Sequence, residues 1–314
     1  MISLSSDNKE QRVTSVSEYI TVILEKRRKL EPERDIWFRG HASVNYSLWP
    51  SLYRETLSRE TKKRPVISEA GQIHAIEMNI DASFSRKAFS FFSKRGIPDT
   101  PWYRYFLKQH YKLRTRLLDW TESALIALFF ALEDKNEKVK GDDARVLILA
   151  PGRLNNYSIN KLLKPQSTLP LHIIPTPKDL PEKGKLWTEN GLLNPNQLLR
   201  KYYRLDCSEG EEMYPIALHP PHLDERMSAQ QACFTLFGNV VDGLATNDSN
   251  QEFLDHVCIN ANYKLQMLEE LKVLGINNYS VYPDLDGLGQ SINDDFYMIF
   301  NNSKSWDGLG DLLS

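Results

Sequence analysis

The sequence predicts an α+β fold, a mixed and largely antiparallel central sheet flanked by helices. Three observations carry this reading. Short β-prone runs bounded by glycine, proline or asparagine recur along the 314 residues. Long stretches of helical periodicity lie between the early runs, and strand-like runs return close together at 214–218, 233–237 and 255–259.

Val16 to Leu30 has an apolar stripe (Val16, Tyr19, Ile20, Ile23, Leu24) and stops before Pro32, as an amphipathic helix does. Its basic end, Lys26 to Lys29, complements the helix dipole. Asp35 to Gly40 is a brief strand ended by glycine. Helices follow from Glu69 to Phe92 and from Pro101 to Tyr111, the second opened by a proline whose missing N–H costs nothing there. Thr115 to Thr121 is extended, Ala124 to Leu132 is a wholly apolar and therefore buried helix, and Arg145 to Ala150 is a central strand stopped by Pro151-Gly152. Loops and short helices are expected from Pro151 to about Gly210. Beyond the three returning strands come a helix over Asn262–Leu274 capped by Gly275 and a last strand at Asn278–Tyr282. The organisation expected is an N-terminal arm (1–16), one globular unit (17–300) with a loop-rich insertion around 151–210, and a mobile C-terminal tail (301–314).

Composition sets outer limits. With 39 Lys+Arg against 41 Asp+Glu there is no global field to hold a polyanion, so nucleic-acid contact would need a local patch. Cys207, Cys233 and Cys258 form no C-x-x-C pair, which argues against structural zinc and a disulfide framework and fits a reducing compartment. The polar N-terminus has no signal-like apolar region and no stretch is long enough to span a bilayer, so a cytoplasmic protein without membrane contact is expected.

Chemistry concentrates in two places. Arg39, in Trp37-Phe38-Arg39-Gly40, sets a guanidinium beside a glycine where a phosphate can approach; a salt bridge is the alternative. Gln109 to Thr121 gathers His110, Tyr111, Thr115, Arg116, Asp119, Trp120 and Thr121 immediately before the apolar helix. The same groups also suit a structural role, with Asp119 or Thr121 capping the helix, Arg116 paired to Asp119 and His110 on a carbonyl. From Lys94 to Arg116 seven basic residues face one acid, Asp99, interleaved with aromatics, a pattern that holds single-stranded nucleic acid or simply places aromatics in the core and lysines in water. Arg226 to Gln231 sets polar side chains at the start of the 233–237 strand. Asp284-Leu285-Asp286-Gly287 lacks the later ligands of a calcium loop and reads as a turn; the histidines lack metal-ligand spacing, so no metal is expected.

Trp37-Phe38-Arg39-Gly40-His41, Gln109-His110-Tyr111, Thr115-Arg116-Leu117-Leu118-Asp119-Trp120-Thr121 and Ala127-Leu128-Phe129-Phe130-Ala131 resemble the FRG domain family, as do Arg226-Met227 with Gln230 and Tyr282 to Leu288. Lys112-Leu113-Arg114 stands where that family usually has Gly-Leu-Pro, and Ala232 where a glycine is common. The family occurs in bacterial and phage proteins. The order of an early arginine strand, a hydroxyl-bearing strand feeding an apolar helix and a late polar strand entrance is similar to ADP-ribosyltransferases. That resemblance implies an ADP-ribosyltransferase-like sheet and NAD as substrate. Carried over, the catalytic set is Arg39, His110, Thr115, Arg116, Asp119 and Gln230, with Glu225 the alternative to Gln230 at the late position. NAD would be bound by Arg39, Gly40, His41, Tyr111, Trp120, Thr121 and Arg226. The activity implied is ADP-ribosylation of a macromolecular acceptor, RNA or protein, by a toxin or phage-defence component with an antitoxin or defence-system partner. The rivals are a non-catalytic nucleotide or nucleic-acid binding module built on Arg39, His110, Arg116 and Asp119, and a metal-free nuclease using His110 and Asp119 as acid and base.

Overall fold

The computed structural model describes residues 12–30, 33–54, 70–95, 98–133, 141–163, 174–177, 179–188, 192–244 and 252–302. Most of the expected N-terminal arm and the tail from residue 303 lie outside the described residues. Strands β1 (Arg12–Val13), β2 (Trp37–His41), β3 (Leu117–Thr121), β4 (Ala144–Leu149), β5 (Ile216–Leu218), β6 (Ala232–Leu236) and β7 (Leu254–Ile259) form one sheet in the order β1-β7-β4-β2-β3-β6-β5. Only β1 and β7 pair in parallel; the other neighbours are antiparallel. This is the mixed α+β sheet the sequence predicts.

Alternation along the strands divides the interior. Trp37, Leu147 and Leu149 join one apolar cluster and Phe38, Val146 and Ile148 the other, as the two faces of a pleat require. Helix α1 (Val16–Lys29), helix α5 (Ala124–Leu132) and helix α9 (Lys264–Val273) supply the second cluster. The first is built with α2 (Ser51–Arg54), α3 (Ala70–Arg95), α4 (Pro101–His110), α6 (Pro151–Leu163) and α7 (Pro195–Arg204).

Local chemistry fixes the helix starts. Ser15 accepts the Glu18 N–H at α1, Thr100 caps α4 with Pro101 at its first position, and Ser123 accepts the Ile126 N–H at α5. The expected caps at α5 were Asp119 or Thr121; Thr121 instead accepts the Ser123 N–H one step earlier. Gly275 takes φ +83° just after α9, a left-handed position that favours glycine.

Pro151-Gly152 opens α6, a helix in the stretch where loops and short helices are expected, whose Asn155 accepts from the Ala217 N–H at 2.6 Å and donates to its carbonyl at 3.1 Å, covering the sheet edge at β5. Three sequence expectations change. The polar stretch before β6 contains a short helix, α8 (Glu225–Ala229), capped by Asp224. The expected last strand at 278–282 is helix α10 (Asn278–Val281), because Asn277 and Ser280 close a reciprocal capping box at 2.9 Å in each direction. Asp284, read as part of a turn, accepts the Gly287 N–H at 2.8 Å and starts α11 (Leu285–Asn302). Among the described residues no helix is long and apolar enough to cross a membrane.

Candidate functional site

Strand pairing places the site. β2 runs beside β4 through five paired positions and β3 beside β6 through five, yet β2 and β3 meet at one pair, Phe38 with Thr121. Beyond that pair the strands part, and the Arg39 guanidinium spans the gap by donating Nη1–H to the Asp119 carbonyl at 2.5 Å. A cleft of about 420 Å³ opens there, lined by Arg39, Gly40, Gln109, His110, Asp119, Trp120, Thr121, Arg226 and Gln230, with Phe38, Ser51 and Phe130 on its walls. That volume is in the range that admits a small ligand or one half of a dinucleotide.

The arginine is held rather than loose. Its Nε–H donates to His41 Nε2 at 3.1 Å, and its Nη1 stands 3.9 Å from the Asp119 carboxylate. Burial brings the Arg39 pKa down to about 10, with Asp119 opposing that shift and the neighbouring Arg54 adding to it. The Asp119 carboxylate stays 58% exposed and accepts Gln109 Nε2–H on both oxygens at 2.9 and 3.0 Å. Gln109 is itself fixed, because its carbonyl takes the Thr115 hydroxyl proton in a short bond.

Not every residue named from the sequence reaches this cleft. Thr115 is fully buried and acts behind Gln109, and His41 lies beneath Arg39 with its imidazole kept neutral. Tyr111 is 53% exposed and lines a different, apolar groove along α3, meeting His110 edge-on. Arg116 is in the core: it pairs with Glu77 at 2.7 Å, not with Asp119, and donates to the carbonyls of Tyr202, Tyr203 and Phe237 at 2.7–3.0 Å. Its placement among the site residues is corrected accordingly. Trp120 has its indole N–H on Thr235, so its ring is packed rather than presented for stacking. Gln230 donates Nε2–H to the Val281 carbonyl at 3.1 Å, and Arg226 lies 4.6 Å over the Tyr282 ring, so α8 is tied to α10 beside the cleft.

The basic run before β3 is also reassigned. Arg104 pairs with Asp81 and Asp99, Lys108 with Asp81 and Arg116 with Glu77, so acids of α3, with Asp99 just ahead of the Thr100 cap, take up three of its cations. Trp102, Tyr105 and Phe106 are buried and so are not presented to bases. Gly40 has a packing role: a Cβ there would stand 2.0 Å from the Ala127 carbonyl oxygen of α5. Sequence reasoning gave no role to Gln109, to Lys112, which also lines the cleft, or to Asp224, which caps α8. Gln109 stood in the quoted Gln-His-Tyr motif without a role, and Asp224 was legible only as a helix-capping residue type ahead of Glu225. Among the described residues no group of three His, Cys, Asp or Glu side chains is arranged to hold a metal.

The class defined by fold and site is an α+β protein with a polar cleft at a split in its sheet. Residues 34–140, which carry β2, α4, β3 and α5 and hence Arg39, His110 and Asp119, match the family model of the FRG domain. No curated protein and no solved structure matches the chain.

Proposed function

We propose that this chain, as an FRG-domain protein, is an NAD-dependent ADP-ribosyltransferase acting on a macromolecular acceptor, RNA or protein, as a cytoplasmic toxin of bacterial phage defence held in check by an antitoxin or defence-system partner. The observation that carries the chemistry is convergence. Arg39 from β2, Asp119 from β3, His110 from the end of α4 and Gln230 from the C-cap of α8, four separate elements, line one cleft. Their order along the chain is the order of an early anion-holding arginine and a late polar residue in that enzyme class.

In this reading Arg39 binds the pyrophosphate, pre-oriented by His41 and the Asp119 carbonyl. The bond between the ribose carbon and the nicotinamide nitrogen breaks with its electron pair going to nicotinamide, and positive charge develops on the ribosyl carbon. Gln230 carries no charge to meet it. The exposed Asp119 carboxylate does, and Gln109 holds it in place. Asp119 therefore takes the electrostatic role that a late glutamate would fill. Three free cysteines agree with a reducing compartment.

Labelled NAD, incubated with the purified chain and a cell lysate, tests the reading. Wild type should bind NAD, release nicotinamide and label an acceptor. Arg39→Ala should weaken NAD binding by about 10-fold or more, the worth of a charge-assisted hydrogen bond. Asp119→Asn should keep binding and lower turnover by about 100-fold or more. Wild-type protein that neither binds NAD nor releases nicotinamide overturns the proposal; tight binding without any release favours the non-catalytic binding module.

A further inference from the structure

His110 has a partner that the transferase reading does not use. Its Nδ1 stands 3.2 Å from Asp224 Oδ2, while Asp224 Oδ1 accepts the Met227 N–H at 2.8 Å. The carboxylate is thus fixed by its duty as the N-cap of α8, and one of its oxygens is left aimed at the imidazole. His110 lines the cleft beside Asp119 and Gln230. With Nδ1 committed to a carboxylate, the proton sits on that nitrogen, and the lone pair is on Nε2, across the ring from Asp224.

We propose that Asp224 positions His110 as the general base of the reaction, and that the acceptor is therefore an alcohol hydroxyl, a nucleophile that must lose a proton as it attacks. This rests on the transferase reading. The acceptor oxygen forms its bond to the ribosyl carbon as the carbon–nicotinamide bond breaks. The hydroxyl proton moves to His110 Nε2, and Asp224 balances the imidazolium. The sum is NAD⁺ plus an alcohol giving the O-linked ADP-ribosyl product, nicotinamide and one proton. An Asp–His pair of this kind enforces a tautomer, and replacing such an aspartate by asparagine leaves shape intact while putting the proton on the wrong nitrogen.

Asp224→Asn is well suited to the test, because asparagine caps a helix as well as aspartate does and α8 should remain folded. Methanol serves as a defined alcohol: with NAD, the wild-type chain should form O-methyl ADP-ribose at a rate that rises with pH, as general-base catalysis requires. Other charged groups lining the cleft with it are Arg39, Lys112, Asp119 and Arg226, all unchanged in the variant. Asp224→Asn should lower methanolysis by about 100-fold or more without changing NAD affinity, and should flatten the pH profile. His110→Ala should lose a similar factor, recoverable with added imidazole. Nitrogen-15 NMR should find the His110 proton on Nδ1 in wild type and on Nε2 in Asp224→Asn, a readout independent of turnover. If wild type binds NAD and forms the methyl product but Asp224→Asn does so at the same rate and with the same pH profile, this inference falls and the transferase reading stands. If wild type does not bind NAD, both fall.

Discussion

His41 sits 4% exposed beneath Arg39, and its Nε2 accepts the Arg39 Nε–H. Burial, then the positive charges of Arg39, Arg145 and Arg54, push its pKa down to about 2. An unfolded histidine titrates near about 6.5. Above that pH neither state binds the proton and the stabilising contribution of neutral His41 is complete. As pH falls from about 6.5 toward about 2, the unfolded chain takes up a proton that the folded chain refuses, and stability is lost at up to about 1.4 kcal/mol per pH unit. Urea midpoints of wild type and His41→Gln, compared from about pH 7 to about pH 4, should fall more steeply in wild type. Parallel slopes would contradict the account. The sequence named His41 only through its place after Phe-Arg-Gly, as a ligand-binding residue; a support beneath the arginine is a matter of which face of β2 is covered, which one strand read alone does not disclose.

At the scale of elements, the contact between β2 and α5 decides a residue. With Gly40 Cα against the Ala127 carbonyl and the Ala131 N–H, an added methyl would meet backbone at 2.0 and 2.5 Å, and helix backbone cannot swing aside as a side chain can. Gly40→Ala should therefore destabilise by about 1–3 kcal/mol or more, seen as a lowered calorimetric midpoint. An unchanged midpoint would show that α5 can lift from the sheet. Elements with local punctuation were legible: Ser15, Pro101 and Ser123 open α1, α4 and α5 within a residue or two of where periodicity put them. The misses share a cause. Asn278–Tyr282 is β-prone by composition but short, and a capping box overrides so weak a preference. Gly287 and Gly289 each cost helix propensity of about 1 kcal/mol, hiding α11; Gly287 is tolerated because Tyr282 packs where its side chain would be.

Across the whole molecule, Arg116 is the tie. It joins Glu77 of α3 to the end of α7 at Tyr202 and Tyr203 and to Phe237 after β6, and its own N–H is donated to Tyr105 of α4. Burial opposes its charge, but Glu77, Tyr105 and Tyr53 more than offset that and hold its pKa above the ordinary value. Removing one member strands the other, so Arg116→Met should cost about 3–5 kcal/mol in urea unfolding. Adding Glu77→Gln to it should recover part of that loss, and strict additivity of the two would argue against a coupled pair. The sequence placed Arg116 in the site through the Thr-Arg-Leu-Leu-Asp-Trp-Thr motif and offered Asp119 as its structural partner, whereas Glu77, 39 residues earlier, is the true partner. Arg39 and Asp119 were legible as chemistry, but the parting of β2 from β3 was not, since strand register is set by non-local pairing. That parting has one more consequence. A sheet interrupted between two five-rung ladders carries two internal edges, and at this seam a side chain stands in for a missing rung. Any anion drawn to Arg39 must share the guanidinium with the Asp119 carbonyl, so ligand capture and the cohesion of the two half-sheets are coupled through a single cation.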